Sequence, residues 1–343
     1  MKKLLSILLA LALTLSFVAC GGGEKPAADG GDKPAEVYEL KFAGSMPVDS
    51  PSSQAMERIK EYCETESGGR HKITTYPANQ LGDSTLVFED IMAGNVDMGC
   101  FFTNNSYDVR FAVNSMPYLV TSAEEAKRVY SPGSHYFTAY GDLFTALDVK
   151  LLGIHGDGFV GLLYTKYPEG FEDVNAHKDL MMRMSSTDAY RIALDAMGYN
   201  STTIAFSDLY SALQTGVCDG AIGLTPVSAE SSFAELIKYW APQKIFIDPL
   251  DYIISQQTWD KLPADLQEII QTAVTNETNA QFDNMDKLDQ EALDRLVAGG
   301  TEILEYTDAE FAAYVEKVRT ESWAEMAKIV GQEIIDEIKK DIE

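Results

Sequence analysis

The sequence has few of the residues that carry covalent or metal chemistry. Only four cysteines and four histidines occur among its 343 residues. The cysteines after position 20 are odd in number, lack CxxC spacing and lie in apolar helix and strand patterns, so we expect buried free thiols. They are Cys63, Cys100 and Cys218. The histidines show no spacing typical of metal ligands and are expected on the surface or in loops. They are His71, His135, His155 and His177.

Catalytic motifs are also missing, since no GxSxG, HExxH or Walker pattern occurs. GDGFVG, residues 156–161, matches GxGxxG, but the following LLYTKYPEGFED cannot start the helix that a dinucleotide site requires. The acidic run FDNMDKLDQEALD, residues 282–294, lacks the turn glycine of a calcium loop and indicates a solvated helix face. We therefore expect no enzyme activity, no cofactor and no metal site.

Positive charge is scarce. Lys and Arg number 27 against 53 Asp and Glu, which gives a net charge of −26. This balance excludes a nucleic-acid role, because phosphate binding needs clustered basic residues. A site for an anion would need a local cation.

The first 20 residues, MKKLLSILLALALTLSFVAC, are typical of a secretory signal with an apolar core too short to stay as a spanning helix. The small residue before Cys20 and the glycines after it resemble the lipobox of bacterial lipoproteins, in which this cysteine is acylated. The alternative is a plain secreted protein in which Cys20 is incidental. Residues 21–36 are rich in Gly, Pro, Ala and charge and predict a flexible tether. We expect a protein outside the cytoplasm, anchored by lipid in the periplasm or on the outer face of the cytoplasmic membrane.

Strand and helix patterns alternate after the tether. ELKFAGS, HKITTYP and NVDMGCFF predict strands, and residues 51–67 and 84–93 predict helices. This alternation indicates an α/β fold with a largely parallel sheet.

One local pattern occurs twice. LVFEDIMAGNVDMGC and LYSALQTGVCDGAIG each predict a helix that ends at a glycine, with an aspartate three residues later and then a strand. The glycines are Gly94 and Gly216, and the aspartates are Asp97 and Asp219. The repeat suggests two α/β lobes of similar build.

Arg183 stands among apolar residues in DLMMRMSSTDAYRIALDAMGYN, residues 179–200. The first part predicts a buried strand, and a helix capped by Ser186 or Thr187 follows and ends near Gly198. A guanidinium at the end of a strand and before a helix N-terminus suits an anionic ligand, because ligands of open α/β sheets bind there. The alternative is a structural salt bridge to one of the many acidic residues.

The chain resembles the DctP-type solute-binding proteins of tripartite ATP-independent periplasmic (TRAP) transporters. The resemblance extends over nearly the whole chain after the tether. It rests, in order, on GGRHKITTYPANQLG, IMAGNVDM, MPYLV, KDLMMRM, FSDLYSALQTGVCDG and WDKLPADLQEII.

This resemblance implies a two-lobed α/β fold of the periplasmic-binding-protein type, with discontinuous lobes that close on a ligand and a long helix that spans both. LPADLQ and the thirty residues after it match that helix, with Pro263 near its start. Lobe I is expected over residues 37–159 and 248–287, and lobe II over 160–247 and 288–343.

The resemblance also implies ligand-binding residues. Arg183 matches the arginine that holds the substrate carboxylate through two parallel hydrogen bonds, and Phe206 matches an aromatic residue that packs on the ligand. A second arginine in members that bind acidic sugars is replaced here by Leu163. Other polar contacts of those members fall on Ser45, Phe102, Ser186 and Gly223, where DGAIG stands in place of DGQEN.

With most polar contacts gone, we expect a monocarboxylate with an apolar or aromatic body, since an unmatched buried polar group costs roughly 1–3 kcal/mol. The alternative is a polar ligand, a C4-dicarboxylate or sugar acid, bound by other residues. These are Asn104, Asn105, Thr103, Tyr164 and Thr225. The expected partners are the small and large membrane subunits of the permease, and the alternative role is a ligand-carrying accessory of a sensor.

Overall fold

The computed structural model of the chain describes residues 36–342. The predicted signal sequence, the lipid site at Cys20 and nearly all of the predicted tether lie outside the described residues. The strands are β1 (Tyr38–Gly44), β2 (His71–Tyr76), β3 (Met98–Phe101), β4 (Val149–Phe159), β5 (Gly161–Tyr164), β6 (Lys178–Met184), β7 (Tyr199–Thr203), β8 (Gly220–Leu224), β9 (Tyr239–Ala241), β10 (Ile247–Ser255) and β11 (Glu302–Ile303).

The helices alternate with these strands through most of the chain. They are α1 (Pro51–Glu66), α2 (Ser84–Met92), α3 (Ala123–Val129), α4 (His135–Thr145), α5 (Asp188–Ala196), α6 (Phe206–Thr215), α7 (Pro226–Phe233), α8 (Gln256–Lys261), α9 (Ala264–Ala298), α10 (Asp308–Val330) and α11 (Gln332–Lys339). A 3₁₀ helix covers Val109–Ser115. In the part of the chain that the structure describes, none of the helices combines the length and apolar character needed to cross a bilayer.

The strands form two sheets. The first has five strands in the order β2-β1-β3-β10-β4, and the second has six in the order β11-β9-β5-β8-β6-β7. In the first sheet β1 is parallel to β2 and β3, whereas β10 runs antiparallel to β3 and β4. In the second, β6 is parallel to β7 and β8, whereas β5 runs antiparallel to β8 and β9. We call the halves built on these sheets lobe I and lobe II.

The predicted elements are present, within three residues at each end. The first helix begins after Ser50, whose hydroxyl accepts from the N–H of Ser53 at 3.2 Å, and Pro51 occupies the first turn, where no N–H is needed. Its apolar residues recur at helical spacing and face the core of lobe I, which explains its stability. They are Ala55, Met56, Ile59 and Cys63.

The sequence repeat corresponds to one structural unit used in both lobes. The carboxylate of Asp97, before β3, accepts from the N–H of Lys41 in β1 at 2.8 Å. The carboxylate of Asp219, before β8, accepts from the N–H of Met181 in β6 at 3.1 Å. Each aspartate therefore ties the start of one parallel strand to its neighbour, after a helix that ends at a left-handed glycine.

The chain passes between the lobes where β4 leads into β5 through Val160. The N–H of Val160 donates to Phe246 at 2.8 Å, and the N–H of Ile245 donates to Val160 at 3.1 Å, so the two crossing segments are hydrogen-bonded to each other. GDGFVG lies in this crossing, and a strand follows it, not a helix.

The long helix α9 is confirmed and contacts both lobes. In its first half, Glu277 forms an ion pair with Arg58 of α1 at 2.7 Å. Near its end, Arg295 pairs with Glu230 of α7 at 3.3 Å, and Leu296 packs in the core of lobe II. The helix therefore spans the boundary between the sheets. The residue boundaries given above for the two lobes stay a prediction.

The edges formed by the C-terminal ends of the parallel strands of the two sheets face each other. Since β4 is parallel to β3, its C-terminal end at Phe159 lies at the C-terminal edge of the first sheet. The next strand, β5, starts at Gly161 opposite Leu224, the last residue of β8. The crossing thus joins the two C-terminal edges directly, and the space between them is the interlobe cleft.

Three expectations about polar side chains were wrong. His71 and His155 are fully buried, since β2 and β4 carry them inside lobe I and the crossing, whereas we expected surface positions. Asp289, within the run expected to be solvated, faces inward from α9, and its carboxylate accepts from the N–H of Phe159 at 3.1 Å. The three cysteines are free and buried, as expected.

Candidate functional site

Arg183 is the second-last residue of β6, at the cleft edge of lobe II. It is paired with Ala221 of β8 and with Thr202 of β7. Only 3% of the residue is exposed. Within residues 36–342 the guanidinium makes one hydrogen bond, from Nε to the carbonyl of Ile204 at 2.8 Å, and forms no ion pair with a carboxylate.

A buried guanidinium without a carboxylate is costly, because burial removes hydration that nothing replaces. Burial accordingly lowers the pKa of Arg183, and the neighbouring Tyr190 and Cys218 oppose this effect. The single bond from Nε fixes the direction of the side chain and leaves the two terminal nitrogens for another acceptor. This geometry suits a carboxylate that binds through two parallel hydrogen bonds.

Phe206 lies beside this guanidinium. It opens α6, is 53% exposed, and has its ring centroid 5.9 Å from Cζ of Arg183. The ring also packs edge-on against Phe233 at 5.7 Å, which holds its orientation. An exposed phenyl ring in contact with a cation offers an apolar surface next to the anion site.

Tyr190 also belongs to this region, and the sequence patterns did not single it out. It lies in the first turn of α5 and stacks on Phe246 of the second crossing, with centroids 4.9 Å apart. Burial raises the pKa of Tyr190, the carboxylate of Asp248 acts in the same direction, and Arg183 opposes them. Its hydroxyl has no hydrogen-bond partner in the described part of the chain. Tyr190 thus lies within the electrostatic influence of both a cation and an anion.

Gly223 touches the same ring. Its φ is +90°, and a Cβ built on it would lie 2.7 Å from Cε2 of Tyr190. The tyrosine therefore fills the space that a larger residue at 223 would take.

Residues of lobe I predicted to bind ligand follow the ends of its parallel strands. Ser45 comes directly after β1, and Phe102 directly after β3, and both are partly exposed. Asn104 is partly exposed too, but its amide is used locally, donating to Thr85 at 3.3 Å and accepting from the N–H of Ser106 at 2.9 Å. The structure places all three at the cleft edge of lobe I.

Other predicted residues lie elsewhere. Leu163 and Tyr164, in β5, are completely buried; Leu163 packs in the core of lobe II and Tyr164 shares a hydrogen bond with Tyr199 at 2.7 Å. Ser186 is exposed in the loop between β6 and α5. Ligand contacts of these residues stay predictions.

Of the five alternative polar contacts, Thr103 and Thr225 are buried, as is Tyr164. Thr103 follows the end of β3 in lobe I, and Thr225 caps α7 by accepting from the N–H of Ser228 at 3.2 Å. Asn105 is partly exposed beside Asn104.

Two aspartates lie side by side on the crossing strands. β10 pairs with β3 only from Asp251 onward, so the earlier residues of β10 extend past the edge of the first sheet. Asp248 is in this extension, within a bulge opposite Asp157 and Gly158 of β4. Burial, followed by the charge of Asp157, raises the pKa of Asp248 to about 7. We call Asp157 and Asp248 the hinge acid pair.

The sequence patterns missed this pair because 90 residues separate its members and only the strand register joins them.

As for metals, residues 36–342 contain no group of three or more His, Cys, Asp or Glu side chains arranged to hold an ion. The arrangement offers one cationic anchor, an aromatic wall and two carboxylates, and it provides no nucleophile paired with a base.

Comparisons with known proteins agree with this architecture. The family described as bacterial extracellular solute-binding protein, family 7 (DctP), matches residues 42–329. The C4-dicarboxylate-binding periplasmic protein DctP of Rhodobacter capsulatus is 27% identical over 320 residues, covering 89% of this chain and 91% of that protein. A monocarboxylate 2-oxoacid-binding periplasmic protein of Nostoc is 25% identical over 279 residues, covering 78% and 73%.

A solved structure shows the same fold. The TRAP periplasmic solute-binding protein of Ochrobactrum anthropi superposes with a TM-score of 0.80 at 23% sequence identity, covering 90% of this chain and 95% of that one. Proteins of this kind act outside the cytoplasm and are not enzymes. The family match spans most of the chain, and the chain belongs to family 7 of the bacterial extracellular solute-binding proteins, the DctP-type solute-binding proteins of TRAP transporters.

Proposed function

We propose that the protein captures an organic acid anion outside the cytoplasm and delivers it to the membrane subunits of a TRAP permease, with Arg183 as the carboxylate anchor. The supporting observation is Arg183 itself, a residue only 3% exposed at the cleft edge, whose guanidinium forms no ion pair within residues 36–342. A structural salt bridge would have a carboxylate partner. The net charge of −26 repels anions, so a local cation is needed to hold one.

The substrate class that we favour is a monocarboxylate with an apolar or aromatic body. Phe206 gives an exposed apolar surface beside Arg183. By the sequence resemblance alone, Leu163 replaces the second arginine found in sugar-acid binders, so that position supplies no second cation. The hinge acid pair would repel a second carboxylate. The alternative, a C4-dicarboxylate or sugar acid, is supported by the similarity to the Rhodobacter protein that binds C4-dicarboxylates.

The proposed partners are the small and large membrane subunits of the permease. We further propose that the chain is held at the membrane by a lipid on Cys20, on the basis of the lipobox resemblance. A ligand-carrying role for a sensor is the alternative, and genes for two multi-span proteins next to this one would favour transport.

The direct test compares Arg183→Ala, Arg183→Lys and a control, Arg191→Ala, in the purified full chain. Arg191 lies on α5 near Arg183 in sequence, but it is exposed and, among residues 36–342, pairs only with Asp188 and Asp195 on its own helix. Organic acids are first screened for thermal stabilisation of the wild type, since a ligand at 100 times its Kd adds about 2.7 kcal/mol. The Kd of each acid that binds is then measured for every variant by calorimetry.

We expect Arg183→Ala to weaken binding by roughly 2–5 kcal/mol, because it removes one partner of a desolvated charge pair. Arg183→Lys should restore little, since a lysine cannot form the two parallel bonds. Arg191→Ala should leave the Kd unchanged. If Arg183→Ala lowers the Tm of the empty protein while keeping the affinity, Arg183 is structural and the proposal is wrong.

A further inference from the structure

The hinge acid pair lies on the crossing strands, and Tyr190 connects this region with that of Arg183. This inference rests on the function proposed above, because it needs the carboxylate end of the ligand to lie on Arg183. The pair belongs to the strands that connect the two lobes. Tyr190 packs against Gly223, two residues along β8 from Ala221, the strand partner of Arg183, and it stacks on Phe246, two residues before Asp248. Tyr190 therefore contacts both the strand next to Arg183 and the crossing segment that carries Asp248.

The carboxylates of this pair lack the partners that buried acids normally have. The side chain of Asp157 is only 9% exposed, and its Oδ1 is buried without a hydrogen-bond partner. In the part of the chain that the structure describes, no lysine or arginine forms an ion pair with Asp157 or Asp248. Most buried polar atoms are hydrogen-bonded, so an unpaired carboxylate oxygen at a cleft calls for a donor from outside the protein.

His155 does not supply that donor. It is fully buried, and its Nε2 lies 3.6 Å from Oδ1 of Asp157, which is too long for a hydrogen bond. Its Nδ1 is within 3.1 Å of the hydroxyl of Tyr252. The imidazole is therefore tied to the core of lobe I, and the pair retains excess negative charge.

We propose that the hinge acid pair binds a cationic amine at the end of the ligand opposite its carboxylate, so that the ligand is an elongated amino acid with separated charges. The ammonium group donates charge-assisted hydrogen bonds to Asp157 and Asp248. The carboxylate lies on Arg183, and the body of the ligand passes along the ring of Tyr190. Such a ligand has no net charge, so the acidic protein does not repel it.

The test uses three series of straight-chain acids with three to eight carbons in the purified full chain. For each length, the ω-amino acid, the plain alkanoate and the dicarboxylate differ only in the far end group. Kd values are measured by calorimetry for the wild type, Asp157→Asn, Asp248→Asn and a control, Asp195→Asn. Asp195 is exposed on α5 and pairs with Arg191, so its variant removes the same charge away from the cleft.

We expect at least one ω-amino acid to bind about ten-fold or more tightly than the alkanoate of the same length. Asp157→Asn and Asp248→Asn should each reduce this preference, leaving the alkanoate Kd unchanged, and Asp195→Asn should alter neither. Alkanoate binding also shows that each variant is folded.

Three results would overturn the proposal. They are the absence of binding by every ω-amino acid, tightest binding by a dicarboxylate, and a preference for the amine that survives both Asp substitutions. The Arg183→Ala variant distinguishes a failure of this inference from a failure of the function proposed above. If it weakens alkanoate binding while the amine gives no advantage, only the inference about the pair fails; if it changes no affinity, the role of Arg183 fails.

Discussion

The ring of Tyr190 occupies the space next to Gly223, where a Cβ would lie 2.7 Å from Cε2 of the tyrosine. Gly223 also has a φ of +90°, a conformation that side chains rarely adopt. The backbone conformation and the close contact with Tyr190 are thus two separate reasons for a glycine at position 223. Because Tyr190 stacks on Phe246 of the crossing, displacement of the ring would disturb the contact between lobe II and the hinge.

Gly223→Ala tests this contact. We expect it to destabilise the empty protein by about 1–2 kcal/mol from backbone strain, with a further cost from displacing Tyr190. Gly216→Ala is the control, since Gly216 has a φ of +75° but no atom within 4 Å of a built Cβ. Urea unfolding should show a larger loss for Gly223→Ala, and only this variant should weaken ligand binding. Equal effects of both variants on stability and Kd would show that the contact has no role.

The sequence predicted the helices and strands well, because hydrophobic periodicity and the positions of glycine and proline are local signals. The strand KDLMMRM and the helices α1, α2 and α9 were expected near their observed bounds. Arg183 was singled out because a guanidinium in an apolar strand is unusual at any position.

The sequence alone could not predict which residues of distant strands lie opposite each other. Asp157 and Asp248 meet only because β4 pairs with β10 across a bulge. The burial of His155 depends on the same pairing. Leu163 and Tyr164 are adjacent, and a one-residue step along β5 turns their side chains to opposite faces of the sheet, which an ungapped count along the chain cannot show.

Asp289 gives a pH-dependent prediction. Burial raises its pKa to about 7, with smaller effects in the same direction from Asp286 and Asp157, whereas the Phe159 N–H and Lys244 act oppositely. The folded state thus binds a proton more tightly than the unfolded state does. The resulting stabilisation is complete below the unfolded pKa and is lost as the pH rises through about 7.

Asp289→Asn removes this titration while keeping an oxygen that can accept from the N–H of Phe159. The unfolding free energy of the wild type minus that of the variant should fall by roughly 1–3 kcal/mol between pH 5 and pH 8. Urea midpoints at several pH values measure it. The difference cancels contributions common to both proteins, including that of Asp251, whose pKa burial also raises to about 7. A difference independent of pH would mean that Asp289 is ionised throughout.

The next prediction concerns attachment of a lipid to Cys20. Cys20→Ala should release the protein from the membrane fraction or leave it unprocessed, because this residue alone would carry the lipid. Fractionation and immunoblotting report the outcome, and Cys63→Ala serves as the control because Cys63 is buried in the core of lobe I. A Cys20→Ala protein that stays membrane-bound with its signal removed would contradict lipid attachment.

Closure of the lobes on a ligand is the final prediction. The cleft edges of the two sheets face each other, and the crossing at Val160 is short, so rotation about it changes the cleft width. A ligand shifts this equilibrium only if it binds the closed state more tightly, by contacts from both sides. In the proposed site Arg183 would provide such a contact from lobe II, and Ser45 and Phe102 lie at the opposite edge. Saturating ligand should therefore reduce the radius of gyration measured by small-angle X-ray scattering. Arg183→Ala, at a ligand concentration that saturates only the wild type, should show no reduction. A ligand that binds tightly through Arg183 but leaves the scattering unchanged would rule out closure as the means of capture.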